Sequence, residues 1–150
     1  MRLLVQRVSR AEVRVADSCV GSIASGLLVL VGVGLSDTVA DADYLAKKTS
    51  LLRVFEDESG RMNRALADVG GSVLAVSQFT LYGECLKGNR PSFGAAAGAE
   101  LGRALYERYV EALRGLGVRV ETGCFGADMQ VELVNEGPVT LALESTGRVS

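Results

Sequence analysis

The chain has 150 residues, 48% of them apolar and 23% charged, a size and composition that fit one folded domain and exclude general disorder. No apolar run approaches the roughly 20 residues that cross a bilayer as a helix, and Met1-Arg2 leads into strand-like sequence without a signal-peptide pattern, so a cytoplasmic protein away from the membrane is expected. The net charge of −2 and pI near 5.2 do not announce a nucleic-acid-binding surface, though they leave room for a local basic patch.

Met1 to Val8 alternates as a strand, and Ala11 to Val15 continues as a second, with Arg14 outward. Asp17-Ser18 reads as a hairpin turn before a short strand around Val20 to Ile23. The continuous apolar run from Gly26 to Val33, rich in β-branched residues, is the pattern of a central strand buried on both faces. Ser36-Asp37 offers N-caps for a helix over about Thr38 to Val54, with Val39, Ala42, Ala46, Thr49 and Leu52 on its apolar face. Asp57 to Gly60 is a turn, and Gly70-Gly71 leads into another inner strand over Ser72 to Ser77. A glycine-rich loop from Gly83 to Gly98 precedes a second helix over about Glu100 to Leu116, which Gly117 terminates. Val118 to Thr122, Gln130 to Val134 and Val139 to Leu143 are the remaining strands, and residues from Ser145 onward read as a loose tail. The expected fold is therefore α+β: a single domain over 1–150 with a mostly antiparallel sheet curled into a barrel-like form and two principal helices.

The chain contains no histidine, which removes Ser-His-Asp triads, Cys-His pairs, His-based zinc motifs and imidazole acid–base chemistry. Cys19, Cys85 and Cys124 are an odd, scattered set, expected to be buried or idle free thiols and not a disulfide framework or zinc site. Any enzyme built from this chain works with carboxylates, hydroxyls, Lys or Arg, main-chain dipoles, or groups of its substrate.

Two segments carry candidate chemistry. Ser77-Gln78-Phe79-Thr80-Leu81 places polar groups and hydroxyls where a buried strand emerges; this is either a strand end whose hydroxyls satisfy nearby backbone or a reactive site. Asn135-Glu136-Gly137-Pro138-Val139-Thr140 reads on its face as a hairpin turn between two strands. Gly137 also permits a ligand to approach the backbone closely.

Together these segments resemble the D-aminoacyl-tRNA deacylase family, also called D-tyrosyl-tRNA deacylase. The resemblance extends through Val5-Gln6-Arg7-Val8, the Gly26 strand, Met62-Asn63, Gly70 to Val73, Arg90-Pro91-Ser92-Phe93 and Ala127 to Val131. It implies hydrolysis of the ester of D-aminoacyl-tRNA by a homodimer, without cofactor or metal, in which each subunit inserts a cis Gly-Pro dipeptide into the active site of the other. Carried onto this chain, Gly137 and Pro138 are a chirality filter whose carbonyls hold the substrate's α-amino group and whose main chain rejects L side chains. Glycyl-tRNA, with no side chain to reject, is expected to be hydrolysed as well. Arg7 is expected to support the filter by bonding its carbonyls from within the fold, or to be an ordinary strand-edge cation paired with an acid.

The same resemblance directs the ester toward Ser77, Gln78, Phe79 and Thr80, with main-chain N–H groups near Gln78 and Phe79 as an oxyanion hole. Thr80 is the obvious nucleophile, but its motif contains no base to activate it. Assistance from the terminal adenosine's 2′-hydroxyl fits better. Met129 is expected to line the adenosine pocket or to be a core methionine, and Lys87 and Arg90 to touch the tRNA or to lie in a solvated loop. A sister family acting on achiral or mismatched aminoacyl-tRNAs resembles Pro-Gln-Ala-Thr at the first motif. Ser77, Phe79 and Val139 favour the D-specific branch. A non-catalytic nucleic-acid-binding module on the same fold is the rival of a different class, disfavoured by the acidic pI.

Overall fold

The computed structural model describes residues 1–146. The alternation at the start of the chain folds as one long strand, β1 (Arg2–Val15), which turns at Ala16-Asp17 into β2 (Ser18–Ile23). β3 (Gly26–Gly32) follows. Its length lets β1 serve two neighbours: its first half pairs antiparallel with β3 and its second half with β2. Next come α1 (Val39–Leu51), the small hairpin of β4 (Phe55–Glu56) and β5 (Met62–Arg64), the short α2 (Leu66–Val69), and β6 (Ser72–Ser77), parallel to β3. A 3-10 turn (Phe79–Tyr82) and a long loop lead to α3 (Ala99–Gly115), β7 (Val120–Thr122) parallel to β6, and β8 (Met129–Glu144). The main sheet runs β2-β1-β3-β6-β7, with β8 along the other side of β1, and it curls until β2 meets β7. Among the described residues the result is a nearly closed, mixed, barrel-like sheet with three α-helices.

The continuous apolar runs are buried as their composition requires. Leu27, Val29, Val31, Val73 and Ala75 pack with Leu45, Tyr109 and Leu113 beneath the helices. Alternate residues Leu28, Leu74 and Val76 point the other way and pack with Val8, Val13 and Ile23 inside the curl. Both faces of β3 and β6 are thus filled, and cutting Leu74 to Ala would cost about 2–5 kcal/mol. α1 and α3 pack together, joined by a bidentate pair in which Arg108 Nε and Nη2 donate to Asp43 at 2.7 and 2.9 Å. Below that pair, the buried hydroxyls of Thr49 and Tyr109 bond at 2.9 Å.

Several expectations change. α1 is capped by Thr38, whose N–H donates to Asp41 Oδ2 at 2.8 Å, and not by Ser36-Asp37. Asp37 is turned inward, accepting from the Met1 amine at 2.5 Å and the Gly34 N–H at 2.6 Å. The helix also ends at Leu51; its buried face is Ala42, Leu45, Ala46 and Thr49, with Val39 exposed. The two C-terminal strands are one, β8, because both arms pair with β1 and no reversal occurs at Asn135–Thr140. Ser145, placed in the tail by its sequence, is buried and donates its N–H to Met1 O at 3.0 Å. The rest of that segment from 147 lies outside the described residues. All three cysteines are free and exposed, so of the two expectations, buried or idle, burial is the one that falls. Among the described residues no helix is long and apolar enough to cross a membrane.

Candidate active site

β6 delivers the first motif to the end of the sheet. Ser77 still pairs with Val31, and the Gln78 N–H closes the ladder by donating to Val31 O at 2.7 Å. The chain then tightens into the 3-10 turn, held from below by Arg2 Nη1, which donates to Leu81 O at 3.1 Å. Gly32 makes this packing possible, since a Cβ there would stand 2.9 Å from Leu81 Cβ. The first N–H groups of a helical turn have no acceptor within it. Among the described residues, Phe79 and Thr80 N–H have none outside it either. The free main-chain donors are therefore those of Phe79 and Thr80, one position along from the expected pair, because Gln78 is spent on the sheet. The Thr80 hydroxyl bonds the Gln78 carboxamide, a group that cannot take its proton.

Beside this turn lies a hollow of about 530 Å³, the size of a small-ligand site. Val31, Val76 and Ser77–Phe79 form one wall; Gly98, Ala99, Gly102 and Tyr106 of the α3 side face it. Phe125–Ala127, Met129 and Val131 complete the lining. Small residues at the start of α3 leave room for a flat ligand against helix backbone. Among the lining residues only Tyr106 can ionise. Its phenol donates to Ala75 O at 2.8 Å, and burial pushes its pKa up to about 12. Tyr82, the last residue of the turn and outside the lining, is likewise pushed up to about 12, by burial first and then by Asp37. No phenolate is on hand at neutral pH.

Lys87 and Arg90 are exposed at the tip of the loop after the motif. Its base is a two-way backbone pair, Glu84 N–H to Ser92 O at 2.7 Å and Ser92 N–H to Glu84 O at 2.9 Å. Phe93 from this loop meets Phe79 edge-on with ring centroids 5.2 Å apart, so the loop is tied to the first motif although its cations do not line the hollow.

The second motif sits elsewhere. β8 pairs Thr140 with Gln6 and Asn135 with Val8, so residues 136–139 bulge opposite the single residue Arg7. The Gly137–Pro138 peptide bond is cis, and both residues are exposed. Arg7 is buried beneath them. Its Nε donates to Glu136 O at 3.1 Å and its Nη1 to Val54 O at 2.7 Å, with Glu56 at 3.9 Å from Nη2. Gly137 has φ +123°, and a Cβ there would stand 2.6 Å from Arg7 Nη2.

Ser77, Gln78, Phe79 and Met129 therefore share one hollow, with Thr80 next to it, while Gly137, Pro138 and Arg7 contribute nothing to its wall. Tyr106, Phe125 and the small residues of α3 also line the hollow, which was not foreseen from the sequence. The spacing Gly98, Ala99, Gly102 on one face of a helix start was the available signal.

Comparison with known proteins gives these parts a lineage. The family model described as D-Tyr-tRNA(Tyr) deacylase matches residues 4–144. A protein of Thermotoga petrophila named D-aminoacyl-tRNA deacylase is 58% identical over 146 residues, 97% of this chain and 98% of the relative. A solved structure of a c-Myc DNA unwinding element binding protein superposes with a TM-score of 0.89 at 42% identity, covering 96% of this chain and 98% of that one. A probable eukaryotic D-amino acid tRNA deacylase shares the fold at 20% identity, with a TM-score of 0.83 over 95% of this chain and 98% of that one. Matched along nearly its whole length, the chain belongs to the D-aminoacyl-tRNA deacylase family.

Proposed function

We propose that this chain is a hydrolase that cleaves the ester of D-aminoacyl-tRNA, releasing free D-amino acid and tRNA, and that it works in the cytoplasm as a homodimer. The observation that carries the mechanism is the wall of the hollow, whose one ionisable side chain is a protonated, already bonded tyrosine. Such a wall supplies position and main-chain dipoles, not a general base. The ester carbonyl lies over Phe79 and Thr80 N–H, whose free donors stabilise the oxyanion of the tetrahedral intermediate. The 2′-hydroxyl of the terminal adenosine takes a proton from the attacking water as it gives its own to the departing 3′-oxygen, and the adenosine occupies the apolar hollow beside Met129. Lys87 and Arg90 meet the phosphates that follow.

Chiral selection comes from Gly137 and Pro138 of the second subunit. Their carbonyls bind the α-amino group of the substrate, and an L side chain collides with main chain, while glycine passes. The separation of bulge and hollow within one chain supports this exchange between subunits.

Mixing two strongly impaired variants tests the exchange. Ala99→Trp fills the hollow from its exposed rim, and Gly137→Ala disturbs the bulge. Unfolded together and refolded, they form mixed dimers holding one intact hollow and one intact bulge. About a quarter of wild-type D-tyrosyl-tRNA hydrolysis returns if these face each other, on statistical assortment in a two-fold dimer. No recovery in a verified mixed dimer rejects the exchange, and equal ester half-lives with and without the wild-type protein reject the activity. The structural relative's name offers DNA binding as a second reading; the net charge of −2 weighs against it, and a gel-shift titration with single- and double-stranded DNA decides it.

A further inference from the structure

The four-residue bulge at Gly137-Pro138 is held at its base by a side chain that neither motif assignment has used. Asn135 is the last β8 residue paired with β1 before the chain bulges out. Its Nδ2 donates twice: to Arg7 O at 3.1 Å, across the sheet, and to Val139 O at 3.0 Å, on the far side of the bulge. A carboxamide NH2 has two hydrogens to give, and here both are spent. The first fastens the near end of the bulge to β1; the second draws residues 135 and 139 together and closes the loop over the exposed dipeptide. Arg7 acts on the same loop from beneath, through Glu136 O. The two side chains thus fix its start, its first carbonyl and its end, leaving Gly137 and Pro138 as the free part.

We propose that Asn135 is a positioning residue for stereochemical selection, which sets where the Gly137 and Pro138 carbonyls stand without touching the substrate. The inference rests on the filter reading given above. Selection by main-chain collision depends on the location of a few atoms, and a misplacement of about 1 Å can cost about 10²-fold in a productive geometry. Without the Asn135 bonds the ladder still holds residues 135 and 140, and Val139 still packs on the core. The brace that draws 135 toward 139 is gone, however, and Gly137-Pro138 can shift, relaxing the collision that excludes L side chains.

Asn135→Asp is the sharpest test. It preserves size but replaces both donors with a carboxylate set against two carbonyl oxygens. Asn135→Ser retains one donor and serves if the aspartate variant does not fold. The readout is the ratio of kcat/KM for D- and L-tyrosyl-tRNA, measured beside the melting temperature. The proposal expects the ratio to fall by about 10²-fold in Asn135→Asp and by less in Asn135→Ser. A purely structural role would lower the melting temperature and slow both enantiomers alike. An unchanged ratio in whichever variant folds overturns the proposal. Gly137→Ala, measured in parallel, separates the two levels: if it shifts the ratio while Asn135 does not, only the staple fails. If Gly137→Ala leaves the ratio intact too, the filter itself is wrong and the proposal falls with it.

Discussion

The hollow beside β6 and the bulge on β8 are opposites in construction. The hollow is concave and mostly apolar, with its polar work left to main-chain N–H groups at the start of a 3-10 turn. The bulge is exposed at Gly137-Pro138 and is held by a buried arginine, a two-handed asparagine and the packing of Val139 on the core. One region can hold a ring and polarise a carbonyl; the other presents backbone beside the exposed Glu136 side chain. The hollow's lining holds no free base. On the proposed reading, catalysis and selection are built into different parts of the chain, and the variants below probe them one at a time.

The largest effect should come from the substrate. If the hollow lacks a base, removing the 2′-hydroxyl of the terminal adenosine should slow hydrolysis by about 10²–10⁴-fold, the usual worth of general acid–base assistance. Single-turnover hydrolysis of 2′-deoxy D-tyrosyl-tRNA measures this, and near-normal rates would require a protein base that the wall does not show. Second is Gly137→Ala. The backbone at φ +123° disfavours a side chain, and the new Cβ would meet the guanidinium that Arg7 keeps bonded to Glu136 O and Val54 O. The expected cost is about 1–3 kcal/mol of stability and about 10²-fold in D-tyrosyl-tRNA hydrolysis. A melting curve and a steady-state assay read the two separately.

Third, Tyr106→Phe touches the hollow's wall but not its chemistry. Loss of the bond to Ala75 O should cost about 0.5–1.5 kcal/mol and change the rate little. The pH dependence has a definite sign. Burial raises the phenol's pKa from 10.0 to about 12, so its contribution to stability is intact below pH 10 and is lost as pH rises through 12. The variant should lose less stability over that alkaline range than the wild type, as chemical denaturation at stepped pH would show. Equal losses would mean that the phenol is not the group that resists ionisation.

The two regions were also unequally legible. The inner strands announced themselves, because β3 and β6 are buried on both faces and need unbroken apolar runs. The first motif was placed correctly at a strand end, yet its donors were misassigned by one residue: whether Gln78 N–H is free depends on its partner Val31, 47 residues away in the chain, by the pairing of β3 with β6. The bulge misled more thoroughly. Asn, Gly and Pro are turn residues, and only the pairing of both arms with β1 reveals that the strand runs on. Asp37 failed for the same reason, since a good N-cap by composition is recruited by the distant Met1 amine. Local pattern recovers what neighbours in sequence decide; what a remote strand or amine decides has no local trace.

The smallest effect should be Thr80→Ala, and its smallness is the informative part. A hydroxyl nucleophile needs a group to take its proton. The bonding partner of Thr80 Oγ1 is the carboxamide of Gln78, and the wall beyond offers only the protonated Tyr106. The contribution assigned to residue 80 is its backbone N–H, which alanine retains. Alanine also keeps the 3-10 turn, because the turn is fastened through Gln78 N–H and Leu81 O. D-tyrosyl-tRNA hydrolysis by this variant should thus stay within a few-fold of wild type, whereas loss of one oxyanion donor would cost about 10²–10³-fold. A collapse of kcat on that larger scale, with an unaltered melting temperature, would return the hydroxyl to the centre of the mechanism. It would also make Thr80, not a water activated by the substrate, the nucleophile.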